Sequence, residues 1–250
     1  MIPYTIHYCW FGRKPLPKSA RKCIASWRKY LPNYEIKEWN EDNFDVNIIP
    51  YTAEAYKEKK YAFVSDYARF WILHKYGGLY FDTDVEIIRP IYDIIARGPF
   101  MGCEKEAKVG TTPTMLGVAP GLGLGAVPNL GLYSDILALY NDLHFTNKDG
   151  SLNLKTVVEY TTEILVAHGL QNTNEIQNCA GIFIYPKEYF NPKDYATGKL
   201  NITKNTRSIH HFAATWRSNY ERTNLKIYHL LGISREHRLI KIIRKLLLRK

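Results

Sequence analysis

The sequence predicts an α/β fold in which helices flank a mostly parallel central sheet. Stretches with helical and with strand periodicity alternate along the chain, which places strands side by side with helices crossing over between them. The 250 residues, 46% of them hydrophobic, are enough to bury a full-sized core. No Pro-, Gly- or Ser-rich linker and no repeat of fixed period divides the chain, so one domain is expected over residues 1–232, followed by a basic amphipathic helix over 233–250.

Taken in order, Tyr4 to Trp10 alternates aromatic and β-branched residues until Gly12, Pro15 and Pro17 break it, and reads as a first strand running into a loop. Residues 18–30 set Ala20, Cys23, Ile24 and Trp27 on one stripe with basic residues outside it, and Pro32 ends this helix. Tyr34 to Trp39 is a second strand. Tyr61 to Tyr76 is an aromatic-rich helix closed by Gly77-Gly78, and Leu79-Tyr80-Phe81 after it is a buried strand leading into Asp82-Thr83-Asp84. The Gly-rich patch Gly117 to Gly131 is expected to be a loop inside the domain, and the apolar residues among 110–140 to line an acceptor groove or an interface. Leu154 to His168 reads as a helix, Gly181 to Tyr185 as a strand stopped by Pro186, and Ile209 to Trp216 as a short segment rich in His and aromatics.

Composition narrows the function. Cys9, Cys23, Cys103 and Cys179 are scattered without a CxxC pair, so neither a zinc cage nor a disulfide framework is indicated, and a reducing cytoplasm fits. The N-terminus lacks the pattern of a cleaved signal, and nowhere do 18 apolar residues run together. The net charge of +10 suggests nucleic acid, but from Arg235 onward seven basic residues face Glu236 alone, so six of the ten charges lie at one end. The remainder shows no basic cluster and no recognition motif, and no nucleic-acid partner is expected.

Asp82 and Asp84 stand two apart at a strand end, where both carboxylates can approach one hard cation such as Mg²⁺ or Mn²⁺. An isolated DxD is more often an acidic turn facing solvent, yet two charges directly behind an apolar strand and a Gly-Gly turn are poorly explained by solubility. Asp66 and Arg69 share a helix face. They form either a partly buried ion pair or contacts to sugar hydroxyls and phosphate, and both roles are compatible. Trp10 is either core or a stacking partner for a nucleotide base. The run His210 to Trp216 offers an imidazole to a metal or diphosphate.

Three segments, Ile6 to Gly12, Ala62 to Arg69 and Gly77 to Val85, together resemble the DxD sugar-binding family called glycosyltransferase family 32. That group includes capsular and surface polysaccharide transferases and is related to the glucosylating domains of clostridial toxins. The resemblance is dense over residues 1–90 and general between 100 and 205, including Ile184 to Phe190. It implies a GT-A type fold, a nucleotide-sugar donor with UDP favoured, a saccharide acceptor, and retention of anomeric configuration. It also implies roles: Trp10 stacking on the base, Asp66 and Arg69 holding ribose and donor sugar, and Asp82 and Asp84 binding the metal-diphosphate, with departure of the leaving group assisted by the metal and Arg69 and with Asp66, Arg69 and Asp84 as the catalytic residues. Ser208 to Trp216 resembles the family's closing segment, which makes His211 the expected third metal ligand and Trp216 a donor-site residue, with Ala214-Thr215 replacing the usual Gly-Ser.

The amphipathic helix over 234–250 sets Leu239, Ile240, Ile243, Leu246 and Leu247 on one face and cations on another. It suits an anionic membrane surface, which would place the protein on the cytoplasmic face beside a lipid-linked saccharide acceptor, or else it packs on its own domain or on a second copy in a homodimer. A DxD-dependent hydrolase or nucleotidyltransferase is the competing enzymatic reading.

Overall fold

The computed structural model describes residues 1–108, 115–195 and 197–213. The elements are β1 (Thr5–Cys9), α1 (Lys18–Tyr30), β2 (Glu35–Trp39), α2 (Pro50–Lys57), α3 (Tyr61–Tyr76), β3 (Gly78–Tyr80), β4 (Val85–Ile87), α4 (Tyr92–Arg97), β5 (Phe100–Lys105), β6 (Gly117–Ala126), α5 (Gly131–Asn141), α6 (Val157–Ala167), β7 (Gln177–Cys179), β8 (Ile182–Tyr185), α7 (Lys187–Phe190) and β9 (Ser208–His210). The segment 233–250, expected as a basic helix, and Thr215 and Trp216 lie outside the described residues.

Seven strands form one sheet in the order β2-β1-β3-β6-β5-β8-β7, and β4 pairs with β9 in a separate ribbon. The sheet is mixed: β1–β2, β1–β3 and β5–β8 run parallel, while β3–β6, β5–β6 and β7–β8 run antiparallel. Helices cover both faces, as the alternation of elements predicts. On one side Ala55 of α2, Phe70 of α3, Tyr140 of α5 and Leu165 of α6 share an apolar cluster. On the other, Trp27 of α1, Ile94 of α4 and Phe190 of α7 share a second one with β4.

The stripe on α1 buries as its spacing requires, with Ala20, Cys23, Ile24 and Trp27 inward. Fully burying one such large side chain stabilises by roughly 1.5–3 kcal/mol. Helix α3 is buried at nine positions on most of its circumference, so it runs through the interior and carries Asp66 and Arg69 with it. It ends at Gly77, whose φ of 63° is open to glycine, and a Cβ there would lie 2.7 Å from Pro128 Cδ.

The Gly-rich patch corrects the expectation of a loop. Residues Gly117–Ala126 are the longest strand described, buried at every position, and wedge between β3 and β5. Strand propensity argues against glycine, but a strand flanked on both sides and crowded from above needs residues without side chains. Its ladder to β5 jumps from Ala119 to Leu124, opposite Gly102 and Met101, so residues 120–123 bulge out of register and Pro120 sits where no donor is required. Most of the apolar residues expected to line a groove or interface are core as well: Leu116, Val118, Leu122, Leu124, Leu132, Tyr133, Ile136 and Tyr140 are buried, whereas Met115 is exposed.

Candidate active site

Because β1 and β3 are parallel neighbours, their carboxyl ends open on one edge of the sheet, with Trp10 following the first and Asp82 and Asp84 following the second. The backbone of this corner is pinned. Asp82 N–H donates to Gly121 O at 3.0 Å, from the bulged part of β6, and Val85 N–H donates to Asp82 O at 3.0 Å. The indole N–H of Trp27 donates to Val85 O at 2.7 Å, tying α1 to the same turn. From the far side the β4–β9 ribbon brings in the C-terminal segment, where His211 N–H donates to Asp84 O at 3.0 Å.

The side chains converge on this frame. Arg69, 3% exposed, donates from Nε to Ser65 O at 3.0 Å and from Nη2 to Asp66 Oδ1 at 2.8 Å, and the same Nη2 lies 3.4 Å from Asp82 Oδ1. The hydroxyl of Tyr80 donates to Asp82 Oδ1 at 3.1 Å. Asp84 accepts from Ala213 N–H at 2.8 Å through Oδ2, and His210 Nε2 lies 3.1 Å from its Oδ1. Asp66 and Arg69, three apart on one helix, are thus both an ion pair with each other and the buried backing of the acidic corner.

Electrostatics separates the three carboxyls. Burial raises Asp66 to about 7, against the opposing charge of Arg69. Burial also raises Asp82, with Arg69 holding it back. For Asp84 burial is overcome by the charge and hydrogen bond of His210 and by the Ala213 N–H, which hold it at about 2. Burial would lower His210, but Asp84 outweighs it and raises it.

Asp82, Asp84 and His210 present one ligand atom each, all within 4.8 Å of one another. Two hard carboxylate oxygens with one imidazole is a donor set for Mn²⁺ or Mg²⁺, and His210 Nδ1 is buried without a hydrogen-bond partner among the described residues. These residues fit a divalent ion.

His211, the expected third ligand, is elsewhere. Its Nε2 lies 2.8 Å from Glu86 Oε2, and the other oxygen of that carboxylate, Oε1, meets Lys22 Nζ at 3.4 Å. Successive side chains at the end of β9 point to opposite sides, so only one of the two histidines can face the acids, and the register Val85↔His210 selects His210. Trp10 is half-buried at the same sheet edge as the acids, its orientation set by Nε1 donating to Lys14 O at 2.5 Å. Asp66, Arg69, Asp82 and Asp84 are brought together as a group.

Two residues escaped sequence reasoning. Gly121 admits Asp82: a Cβ there would fall inside contact distance of Asp82 Oδ2 and 2.9 Å from its Cγ. The period-two alternation Gly121-Leu122-Gly123-Leu124-Gly125 was the available signal. Lys193, half-buried, reaches His211 O at 3.2 Å, and no local pattern marked it.

Fold and site together define an α/β enzyme whose strand ends gather acidic and imidazole donors suited to a cation. Residues 17–101 match the family described as glycosyltransferase sugar-binding region containing DXD motif. A relative described as an uncharacterized glycosyltransferase of Acanthamoeba polyphaga mimivirus is 29% identical over 206 residues, covering 78% of this chain and 77% of that protein. Among solved structures, the PaToxG glycosyltransferase shares 17% identity at a TM-score of 0.49, covering 66% of this chain and 69% of the other. A glycosyltransferase involved in glycosylation of the major capsid of PBCV-1 shares 13% at a TM-score of 0.48, covering 90% and 100%. Residues 17–101 thus carry the match to a DXD-containing glycosyltransferase sugar-binding region, and the chain is similar over most of its length to a glycosyltransferase.

Proposed function

We propose that this glycosyltransferase is metal-dependent and retaining, and moves a hexose from a UDP-sugar to a saccharide acceptor. The observation that carries the proposal is the convergence of Asp82, Asp84 and His210 on a point backed by the Arg69–Asp66 pair. When bound there, Mn²⁺ or Mg²⁺ supplies Lewis-acid neutralisation of the diphosphate.

The chain's own residues do the rest. Arg69 and Tyr80 hold Asp82 Oδ1, while Ala213 N–H and His210 hold the two oxygens of Asp84, so neither carboxylate has to be ordered when the donor arrives. Trp10 stacks on the base from the neighbouring strand end, and Asp66 and Arg69 define the floor beneath ribose and sugar. Trp216, which lies outside the described residues, is assigned to the same donor site from its place in the sequence alone. The acceptor is a lipid-linked oligosaccharide of capsule or surface polysaccharide synthesis, reached at the cytoplasmic face of a membrane through the basic segment 234–250. Among the described residues no helix is long and apolar enough to cross a membrane.

The test is nucleotide release from a panel of UDP- and GDP-sugars, with Mn²⁺ and with chelator, for wild type and Asp84→Ala. Release from one donor that requires the metal and disappears in the variant is expected. Release that persists in chelator and in Asp84→Ala refutes metal dependence, and release confined to a GDP-sugar refutes the UDP assignment.

A further inference from the structure

A nucleoside diphosphate leaves with at least two negative charges, and a divalent ion held by two carboxylates is itself already neutralised by them. The site therefore needs a further positive charge facing the departing group. Arg69 is poorly placed to supply it, being 3% exposed, with Nε on Ser65 O and Nη2 on Asp66 and beside Asp82. His210 is engaged with Asp84.

Lys193 is differently situated. It follows α7 in a loop that closes on itself: Lys193 bridges to Leu200, Asp194 N–H donates to Lys199 O at 2.8 Å, and Asn201 N–H donates to Pro192 O at 3.0 Å. These contacts tie the backbone at residues 192–194 to that at residues 199–201. Nζ donates to the carbonyl of His211 at 3.2 Å, on the segment whose neighbours His210 and Ala213 both contact the Asp84 carboxylate. That contact uses one of the three ammonium hydrogens. Among the described residues no carboxylate lies within ion-pair distance of Nζ, although the side chain is half-buried; burial pulls its pKa down and Asp84 partly restores it. A partly desolvated cation without a counter-ion is costly unless an anionic ligand arrives to meet it.

Building on the proposed use of a nucleotide-diphosphate donor, we infer that Lys193 is the cation that receives the diphosphate of the donor and steadies it as it leaves. Its two remaining N–H groups contact the phosphate oxygens, while the site of the ion stays with Asp82, Asp84 and His210.

The experiment is calorimetric titration of the full chain in Mn²⁺ with UDP and GDP, each against its nucleoside monophosphate, for wild type, Lys193→Met, Lys193→Gln and Lys193→Arg. A charge-assisted contact contributes about 1.5–3 kcal/mol, so Lys193→Met and Lys193→Gln should weaken the diphosphate about 10- to 100-fold. Monophosphate binding and Mn²⁺ binding alone should change little, and Lys193→Arg should recover most of the loss. Unchanged diphosphate affinity in either neutral variant overturns the inference. So does an equal loss for mono- and diphosphate, which would mark a purely structural lysine. If wild type binds neither UDP nor GDP in Mn²⁺, the donor reading itself falls and takes the inference with it. If wild type binds one of them and Asp84→Ala does not, while the Lys193 variants match wild type, only the inference falls.

Discussion

Gly121→Ala is the smallest change that tests whether the bulge in β6 shapes the acidic corner. The added methyl would overlap Asp82 Oδ2, lie 2.9 Å from Asp82 Cγ and press to 3.2 Å on Arg69 Nη1. Neither neighbour can yield freely, because Arg69 is anchored to Ser65 and Asp66 and the Asp82 backbone is bonded to Gly121 O itself. Overpacking of this kind costs about 1–3 kcal/mol, which for a chain of this size lowers Tm by about 2–12 °C. If the carboxylate instead swings away, the strain is relieved at the expense of a ligand, and Mn²⁺ affinity falls by about 10- to 100-fold, as for a disturbed supporting shell. Thermal denaturation followed by circular dichroism and calorimetric Mn²⁺ titration read the two costs on one sample. The backbone at Gly121 needs no left-handed φ, so conformational strain is not an alternative cause. An unchanged Tm together with unchanged Mn²⁺ affinity would refute the close approach of β6 to Asp82 and the role given to the bulge.

Three further outcomes are expected. His7 is 2% exposed, and burial brings it from 6.5 down to about 4 against a hydrogen bond to Gly77 O. Its folded pKa lies below its unfolded one, so its contribution is complete above pH 6.5 and is lost as pH falls to about 4, by about 3 kcal/mol in all. Urea unfolding at several pH values should show a shallower acid loss in His7→Gln than in wild type, and parallel curves would disprove this. Trp27→Phe removes the donor to Val85 O and leaves that carbonyl buried and unpaired, costing about 1–3 kcal/mol, with a parallel drop in Mn²⁺ affinity because Val85 follows Asp84. Stability lost without any change in Mn²⁺ binding would separate Trp27 from the site. Thr156→Ala breaks the capping box of α6, in which Glu159 N–H donates to Thr156 Oγ1 and Thr156 N–H to Glu159 Oε2; about 1 kcal/mol should be lost, with donor turnover unaffected.

The sequence by itself determined the helices at 18–30 and 61–76, the strands on either side of them, and the presence of Asp82 and Asp84 at a strand end. These rest on periodicity and on end signals such as Pro32 and Gly77, which act over a few residues and are therefore written locally. The pairing of Asp66 with Arg69 was equally readable, since one helical turn places them together. What only the tertiary structure decided involves partners far apart in the chain. Strand β6 was hidden because glycine disfavours strands in isolation, and only the crowding by Asp82 and its flanking strands makes glycine the residue that fits. The choice of His210 over His211 follows from the register of β9 on β4 across more than 120 residues, which no local pattern states. Lys193 owes its place to a loop folded back beside β9, and Arg69 meets Asp82 because α3 runs through the interior alongside β3. Local patterns set which elements form, whereas register and packing between distant elements set which side chains face the same point in space.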